Sequence, residues 1–336
     1  MLDERDLPWL AAPLAELRDH ARSHALILHG GAGSGQWELA WRVAQAWLCE
    51  GASRPCGECP SCHLATAHSH PDLKVLMPEA MQHALGWFEG SATADDGEAD
   101  AGEGGKGKRK PSREIKIDAV RAAIDWAHTS SSRGRGKVLL FYPADAMNAT
   151  SANALLKTLE EPAAGTRLLL CVADPEHLLP TVRSRCQRVR LTPPDAATAE
   201  AWLTKQGVAG AAALLRASGG EPLAARALLD EGLDAATWSQ LPAQVARGDT
   251  RTLAGLPLPR VVRVLQQVCH DAMAQAAGGP ARFFEPGQVP PGAHMPELAE
   301  WARELARVAR HDEHPWNVPL RVEALIAQGQ RAWSTA

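Results

Sequence analysis

One stretch constrains the fold more than any other: "HALILHGGAGSGQWELAWRVAQAWL", His24 to Leu48. His24 to Leu28 is a short apolar run closed by glycines, the pattern of a buried strand entering a loop. From Trp37 onward, Ala40, Trp41, Ala44, Trp47 and Leu48 recur at steps of three and four, which predicts a helix with a broad apolar face. Strand, glycine loop and helix together open an α/β nucleotide-binding unit. The loop itself begins as a phosphate-binding loop, with Gly30 and Gly35 at the spacing of G-x-x-x-x-G-K-[ST]. It ends otherwise: Gln36 and Trp37 stand where Lys and Ser/Thr belong.

The alternation continues downstream. Ile115 to His128 has helical periodicity, and "KVLLFY" at Lys137 to Tyr142 is a strong apolar strand. "SANALLKTLEE" at Ser151 to Glu161 predicts a helix with Ser near its start, stopped by Pro162. "RLLLCVA" at Arg167 to Ala173 predicts another buried strand. Strands alternating with helices imply a mostly parallel sheet covered on both faces. Beyond about Pro194 the strands cease, and Ala, Leu and Arg dominate at helical spacing, broken by Gly219-Gly220 and the prolines around Pro257. The expected architecture is therefore an α/β domain over 1–193 followed by all-α domains: a small helical lid over 194–234 and a helical bundle over 235–336. Between about Glu89 and Arg113 the chain is rich in Gly, Ala and charge and nearly free of large apolar side chains, which predicts a disordered insertion. Its basic end, Lys106 to Lys110, reads as solvated in preference to phosphate-binding.

With 35 basic against 39 acidic residues, the 336-residue chain carries a formal net charge of -4. Nothing global draws it to nucleic acid or to an anionic membrane. No run approaches the roughly 18 apolar residues that span a bilayer, and the expected location is cytoplasmic. Seven cysteines, four of them between Cys49 and Cys62, do not resemble a secreted disulfide framework. Cys49-x6-Cys56-x2-Cys59-x2-Cys62 has the spacing of a closed tetrahedral zinc site, which would be structural. Free or redox-active thiols are the alternative, and His63, His68 and His70 are near enough in sequence to replace a sulfur. Cys171, Cys186 and Cys269 are dispersed and read as small apolar fillers. Trp41 and Trp47 sit at core spacing, although eleven tryptophans beside one tyrosine also raise the possibility of stacking platforms for single-stranded nucleic acid.

A degenerate glycine loop, a cysteine cluster after the next helix, "NALLKTLEEP" at Asn153 to Pro162 and "RSRC" at Arg183 to Cys186, in that order, resemble the bacterial DNA polymerase III clamp loader of the AAA+ family. "EHPWN" at Glu313 to Asn317 is similar to the last domain of that family. The resemblance implies an AAA+ fold with a helical lid and a helical collar. It places the second acidic motif of active relatives on Tyr142-Pro143, their sensor Thr on Val172, and the sensor arginine near Pro222-Leu223. With Gln36 and Trp37, four elements of ATP hydrolysis are then missing, so the resemblance is to an ATPase-inactive member with no bound ATP. Asp145, two residues late, reads as a turn or cap residue.

What the resemblance preserves is Arg185 of Ser184-Arg185-Cys186, which matches the arginine finger that reaches into the ATP site of an adjacent subunit. A guanidinium suits that role because it is permanently charged and can bridge phosphoryl oxygens. Read without the resemblance, the Arg183, Arg185, Arg188 and Arg190 run is a solvated strand edge. The implied function is that of a non-catalytic stator in a hetero-pentamer with the gamma/tau ATPases and delta. That assembly would act on the sliding clamp and primed DNA, and any DNA-directed DNA polymerase activity would belong to the holoenzyme. A divergent ATP-hydrolysing subunit and a zinc-dependent nucleic-acid-binding protein are the alternatives.

Overall fold

The computed structural model describes residues 7–21, 23–31, 33–85, 87, 111–311 and 316–334. The chain divides into two compact units, Met1–Pro193 and Pro194–Ala336. Among the described residues, no helix is long and apolar enough to cross a membrane.

The first unit is a five-stranded parallel sheet in the order β2-β3-β4-β1-β5, built from β1 (Ala25–His29), β2 (Leu73–Leu76), β3 (Lys137–Phe141), β4 (Thr166–Val172) and β5 (Gln187–Arg190). The three apolar runs anticipated from sequence are the central strands, buried almost throughout. Parallel strands covered on both faces cannot alternate polar with apolar residues, which is why these runs are continuous. The two edge strands are four residues each, half-buried in β2 and mostly exposed in β5. Neither has an apolar run that marks it in the sequence.

Helix α1 (Ala11–His20) precedes the sheet and sets Leu14 and Leu17 into the core beside α2 (Gln36–Leu48). The α2 helix lies against β1, β3 and β4 and buries Leu39, Ala40, Val43, Ala44 and Trp47. On the other face of the sheet, Ile27, Leu139, Phe141, Leu168 and Leu170 pack with Val120 and Ala123 of α5 (Ile117–Ala127) and with Leu155 and Leu159 of α6 (Ala149–Glu160). Each fully buried Leu, Ile, Val or Phe among them contributes about 1.5–3 kcal/mol. Between these elements lie α3 (Pro60–Thr66) and α4 (Glu79–Leu85). The α5 helix runs Ile117–Ala127, two residues later than its periodicity suggests. The α6 helix runs Ala149–Glu160 and begins earlier than expected: Asn148, whose side chain accepts from Ser151 N–H at 2.9 Å, is the cap, and Ser151 lies inside the helix.

Most of the glycine- and charge-rich insertion lies outside the described residues. Its last part corrects the expectation of disorder, because Ser112 N–H donates to the Glu79 carboxylate at 3.0 Å and Ala80 N–H donates to Ser112 O at 3.0 Å. These bonds tie 111–113 to the start of α4.

The second unit is helical among its described residues. The α8 (Ala196–Lys205), α9 (Ala211–Ala217) and α10 (Pro222–Asp230) helices pack on one another, and α7 (Pro180–Arg183) is the short helix before β5. Then follow α11 (Ala235–Ala246), α12 (Leu258–Ala276), α13 (Met295–Ala309) and α14 (Val318–Ser334). Asp195 and Asp234 cap α8 and α11 by accepting from Thr198 and Thr237 N–H. Trp238 stacks on Phe284 with centroids 5.0 Å apart. The fully buried Asp271 accepts from the N–H groups of Arg282, Phe283 and Phe284 at 2.7–2.9 Å, so its carboxylate is satisfied inside the core.

Candidate functional site

The strand order reverses between β1 and β4, where a doubly wound sheet places its ligand crevice. The glycine loop sits there, between β1 and α2. Gly35, at φ +95°, caps α2 in the left-handed region that favours glycine. A Cβ on Gly30 would stand 2.6 Å from Leu191 O, so a side chain there could not fit. Both glycines thus serve the joint between strand and helix.

The two substituted positions fill the loop. The Gln36 side chain is buried and turns back, its amide donating to Gly30 O. In an active loop the Lys at this position extends toward the β- and γ-phosphates. Trp37 lies against Tyr142 with centroids 5.0 Å apart, meets the edge of Trp87 at 5.4 Å and stacks with Trp41 at 5.9 Å. His68 extends the cluster, stacked on Trp87 at 3.7 Å. Trp37, at the start of α2, therefore meets Tyr142, the residue that follows β3. Burial, followed by the charge of Glu38, raises the Tyr142 phenol, so it stays protonated.

Pro143 lies just beyond β3, and Val172 ends β4 buried and apolar. Pro222 is the first residue of α10 and Leu223 follows it. Asp145 lies in a single 3₁₀ turn, with an oxygen 3.6 Å from His177 Nδ1. Cys171 is fully buried beneath the loop, and its thiol approaches Gln36 O at 3.7 Å. Burial pushes the Cys186 and Cys269 thiols up to about 12, so neither is a nucleophile at neutral pH.

The C-terminal end of α2 leads directly into the cysteine cluster. Cys49 follows the last residue of α2, Cys59 caps α3 and Cys62 lies within it, which gathers the sulfurs of Cys49, Cys56, Cys59 and Cys62 within 4.8 Å of one another. Three of the separations are 3.5, 3.8 and 3.9 Å. A tetrahedron of sulfurs about 2.3 Å from zinc has edges of about 3.8 Å. Backbone N–H groups of Gly51 and Cys56 donate to the Cys49 sulfur, that of Cys59 to Cys56, and that of Cys62 to Cys59, all at 3.3–3.4 Å. Burial raises the Cys59 thiol, but N–H donors from Glu50 and Cys62, with the neighbouring thiols, bring it down to about 6. The donor set fits a closed, structural zinc site.

None of the nearby histidines joins the sulfurs. His70 is buried, accepts from Asp72 N–H at 3.0 Å through Nδ1 and faces Ser61 Oγ at 3.1 Å through Nε2. His68 belongs to the aromatic cluster, and His63 is exposed. The module is instead tied to the sheet. Ser61 and Arg133 both donate to Glu50, and the buried Asp72 accepts from Ser131 Oγ and from the N–H groups of Ser132 and Arg133.

Arg185 lies on the surface between α7 and β5, with its side chain one-third exposed. Its Nε donates to Glu160 Oε1 at 2.7 Å and its Nη1 to Thr181 O at 2.9 Å. Ser184 Oγ accepts from Nη1, and the Cys186 side chain packs against the core beneath. Arg183 pairs with Glu176, which Arg188 approaches at 3.8 Å, so the arginines do not form one uninterrupted cationic strip.

Sequence reasoning missed Trp87, His68 in its ring role, Asp72 and Glu160. Trp87 lies two residues before the glycine- and charge-rich segment that begins at about Glu89. Glu160 was visible within "LLKTLEEP", but its partner lies 25 residues away.

A parallel sheet in this order, with a glycine loop at its switch point and helical domains after it, defines an AAA+ module, here with the phosphate loop closed by its own side chains. The family model described as "DNA polymerase III, delta subunit" matches residues 14–195. The chain belongs to the DNA polymerase III delta' subunit family. It is 36% identical to the DNA polymerase III subunit delta' of Pseudomonas aeruginosa over 67% of this chain and 62% of that relative, so this match spans less than two-thirds of the relative's length. It is 32% identical to the subunit delta' of Yersinia pestis over 98% of this chain and 95% of the relative. Over 56% of this chain and 24% of the relative, it is 30% identical to the DNA polymerase III subunit tau of Salmonella typhimurium.

Proposed function

We propose that the chain is a non-catalytic stator subunit of the DNA polymerase III clamp loader, working beside the gamma/tau ATPases and delta. In this reading it supports ATP-dependent loading of the sliding clamp onto primed DNA and supplies Arg185 to the ATP site of a neighbour. The observation that carries the reading is the contact between Trp37 and Tyr142 at 5.0 Å; in this reading the two rings occupy positions where Mg²⁺ would need oxygen ligands. The Gln36 bond to Gly30 O and the surface position of Arg185 support it as well. Structural zinc on Cys49, Cys56, Cys59 and Cys62, and the division of the second unit into a lid over 194–234 and a collar over 235–336, belong to the same proposal.

The test compares wild type with Arg185→Ala in the loader rebuilt from its partner subunits, with assembly confirmed. The clamp- and DNA-stimulated ATPase rate should fall clearly. Loss of a finger costs about 10³-fold or more at a single site, and the bulk rate dilutes that loss among sites that do not use Arg185. An unchanged rate would remove the finger. Micromolar binding of Mg-ATP by the wild-type chain alone would remove the non-catalytic reading.

A further inference from the structure

The guanidinium of Arg185 is already engaged inside its own chain. Its Nε donates to Glu160 Oε1, which is also paired with Nη2, and Nη1 donates to Thr181 O and Ser184 Oγ. Of the five N–H donors of a guanidinium, three are bonded, and the Nε–Nη2 edge lies against the carboxylate. Bidentate binding of a phosphoryl group needs two parallel donors on one edge of the fork. No edge is free, so Arg185 cannot grip a phosphate in this conformation.

We propose that Glu160 is a positioning residue that parks Arg185 and yields it only when a more highly charged acceptor arrives. This rests on the finger reading. Glu160 ends α6 and Arg185 follows α7, and the two helices pack on each other, so the carboxylate is held beside the guanidinium by the fold. Both side chains are partly exposed, 50% for Glu160 and 33% for Arg185, so an incoming polyphosphate can reach the pair. An exposed pair of this kind is weak, which makes the parking reversible. A terminal phosphoryl group carries more negative charge than one carboxylate and offers three oxygens, so it takes the guanidinium over. The neighbour's ATPase rate without clamp and DNA is then held down by the share of time Arg185 spends on Glu160.

The experiment uses Glu160→Gln, which keeps the shape and removes the charge. In the full chain alone, phenylglyoxal labelling read by mass spectrometry should modify Arg185 about 1.5- to 5-fold faster than in wild type, the span an exposed pair supports. Arg188 in the same molecules serves as the internal reference. In the rebuilt loader, Glu160→Gln should raise the unstimulated ATPase rate by a similar factor and should change nothing when added to Arg185→Ala. Equal Arg185 labelling in the two chains overturns the parking. A lowered unstimulated rate, or the same change in both backgrounds, overturns its role in the loader. An unchanged rate for Arg185→Ala beside faster labelling sinks the finger reading instead, so the two failures are distinguishable.

Discussion

Restoring the lost residues of the phosphate loop, by the double change Gln36→Lys and Trp37→Thr, should destabilise the first unit without conferring ATP binding. The magnitude follows from the ring contacts that Trp37 makes with Tyr142, Trp87 and Trp41 at 5.0, 5.4 and 5.9 Å. Aromatic pairs contribute about 0.5–1.5 kcal/mol each beyond the area they bury, which for three pairs gives about 2–4 kcal/mol. A new Lys can still donate to Gly30 O, so the Gln36 bond adds little to the loss. For a unit of this size each kcal/mol moves Tm by about 2–4 °C, and the transition should fall by roughly 5–15 °C. Binding should stay weaker than a Kd of about 1 mM, because in the proposed reading Tyr142, whose phenol burial keeps protonated, stands in place of a carboxylate. Scanning calorimetry and titration with Mg-ATP read the two quantities. Micromolar binding, or an unchanged Tm, would refute the argument that the site is occupied by side chains as well as lacking its ligands.

Two further expectations follow from other parts of the chain. Purified protein should hold one zinc per molecule by elemental analysis, and Cys59→Ser or exhaustive chelation should lower that content and the unfolding temperature together; wild type free of metal and equally stable would contradict the site. In the second unit, the hydrogen bond from Arg307 holds the Glu304 carboxyl down to about 2 from its ordinary 4.5; burial opposes it, and Arg321 adds a further lowering. The stabilisation is present above the ordinary value and should be lost as pH falls from about 4.5 toward 2. Glu304→Gln should flatten the pH dependence of unfolding in that window, and an identical profile would show that the carboxylate contributes nothing.

The central strands and the helices beside them were legible because two-sided burial leaves continuous apolar runs such as "KVLLF". The edge strands were not, since a four-residue stretch like "QRVR" carries polar residues on an open edge. At the candidate site, the sequence showed where the loop departs from the phosphate-loop pattern and not which residues the departing side chains meet. Gln36 and Trp37 read as absent chemistry, whereas the fold gives them partners at Gly30, Tyr142 and Trp87, which lie as far as 105 residues away in sequence. The cysteines were legible because their ligand spacing is local. The attachment of their module to the sheet was hidden, because Asp72 meets Ser131, Ser132 and Arg133 across about sixty residues.

The α2 helix joins the closed loop to the sulfur cluster as a strut. Its thirteen residues measure about 20 Å. Gly35 caps one end and Cys49, of the sulfur cluster, caps the other. A nucleotide-driven switch needs slack at the joint between strand and helix, so that an arriving phosphate can pull the helix from one rest position to another. In the proposed reading, the loop bonded back on itself at one end and a metal held at the other leave no such slack. In the proposed ring such a module neither senses nucleotide nor relaxes when it leaves; it is the abutment against which a moving neighbour pushes.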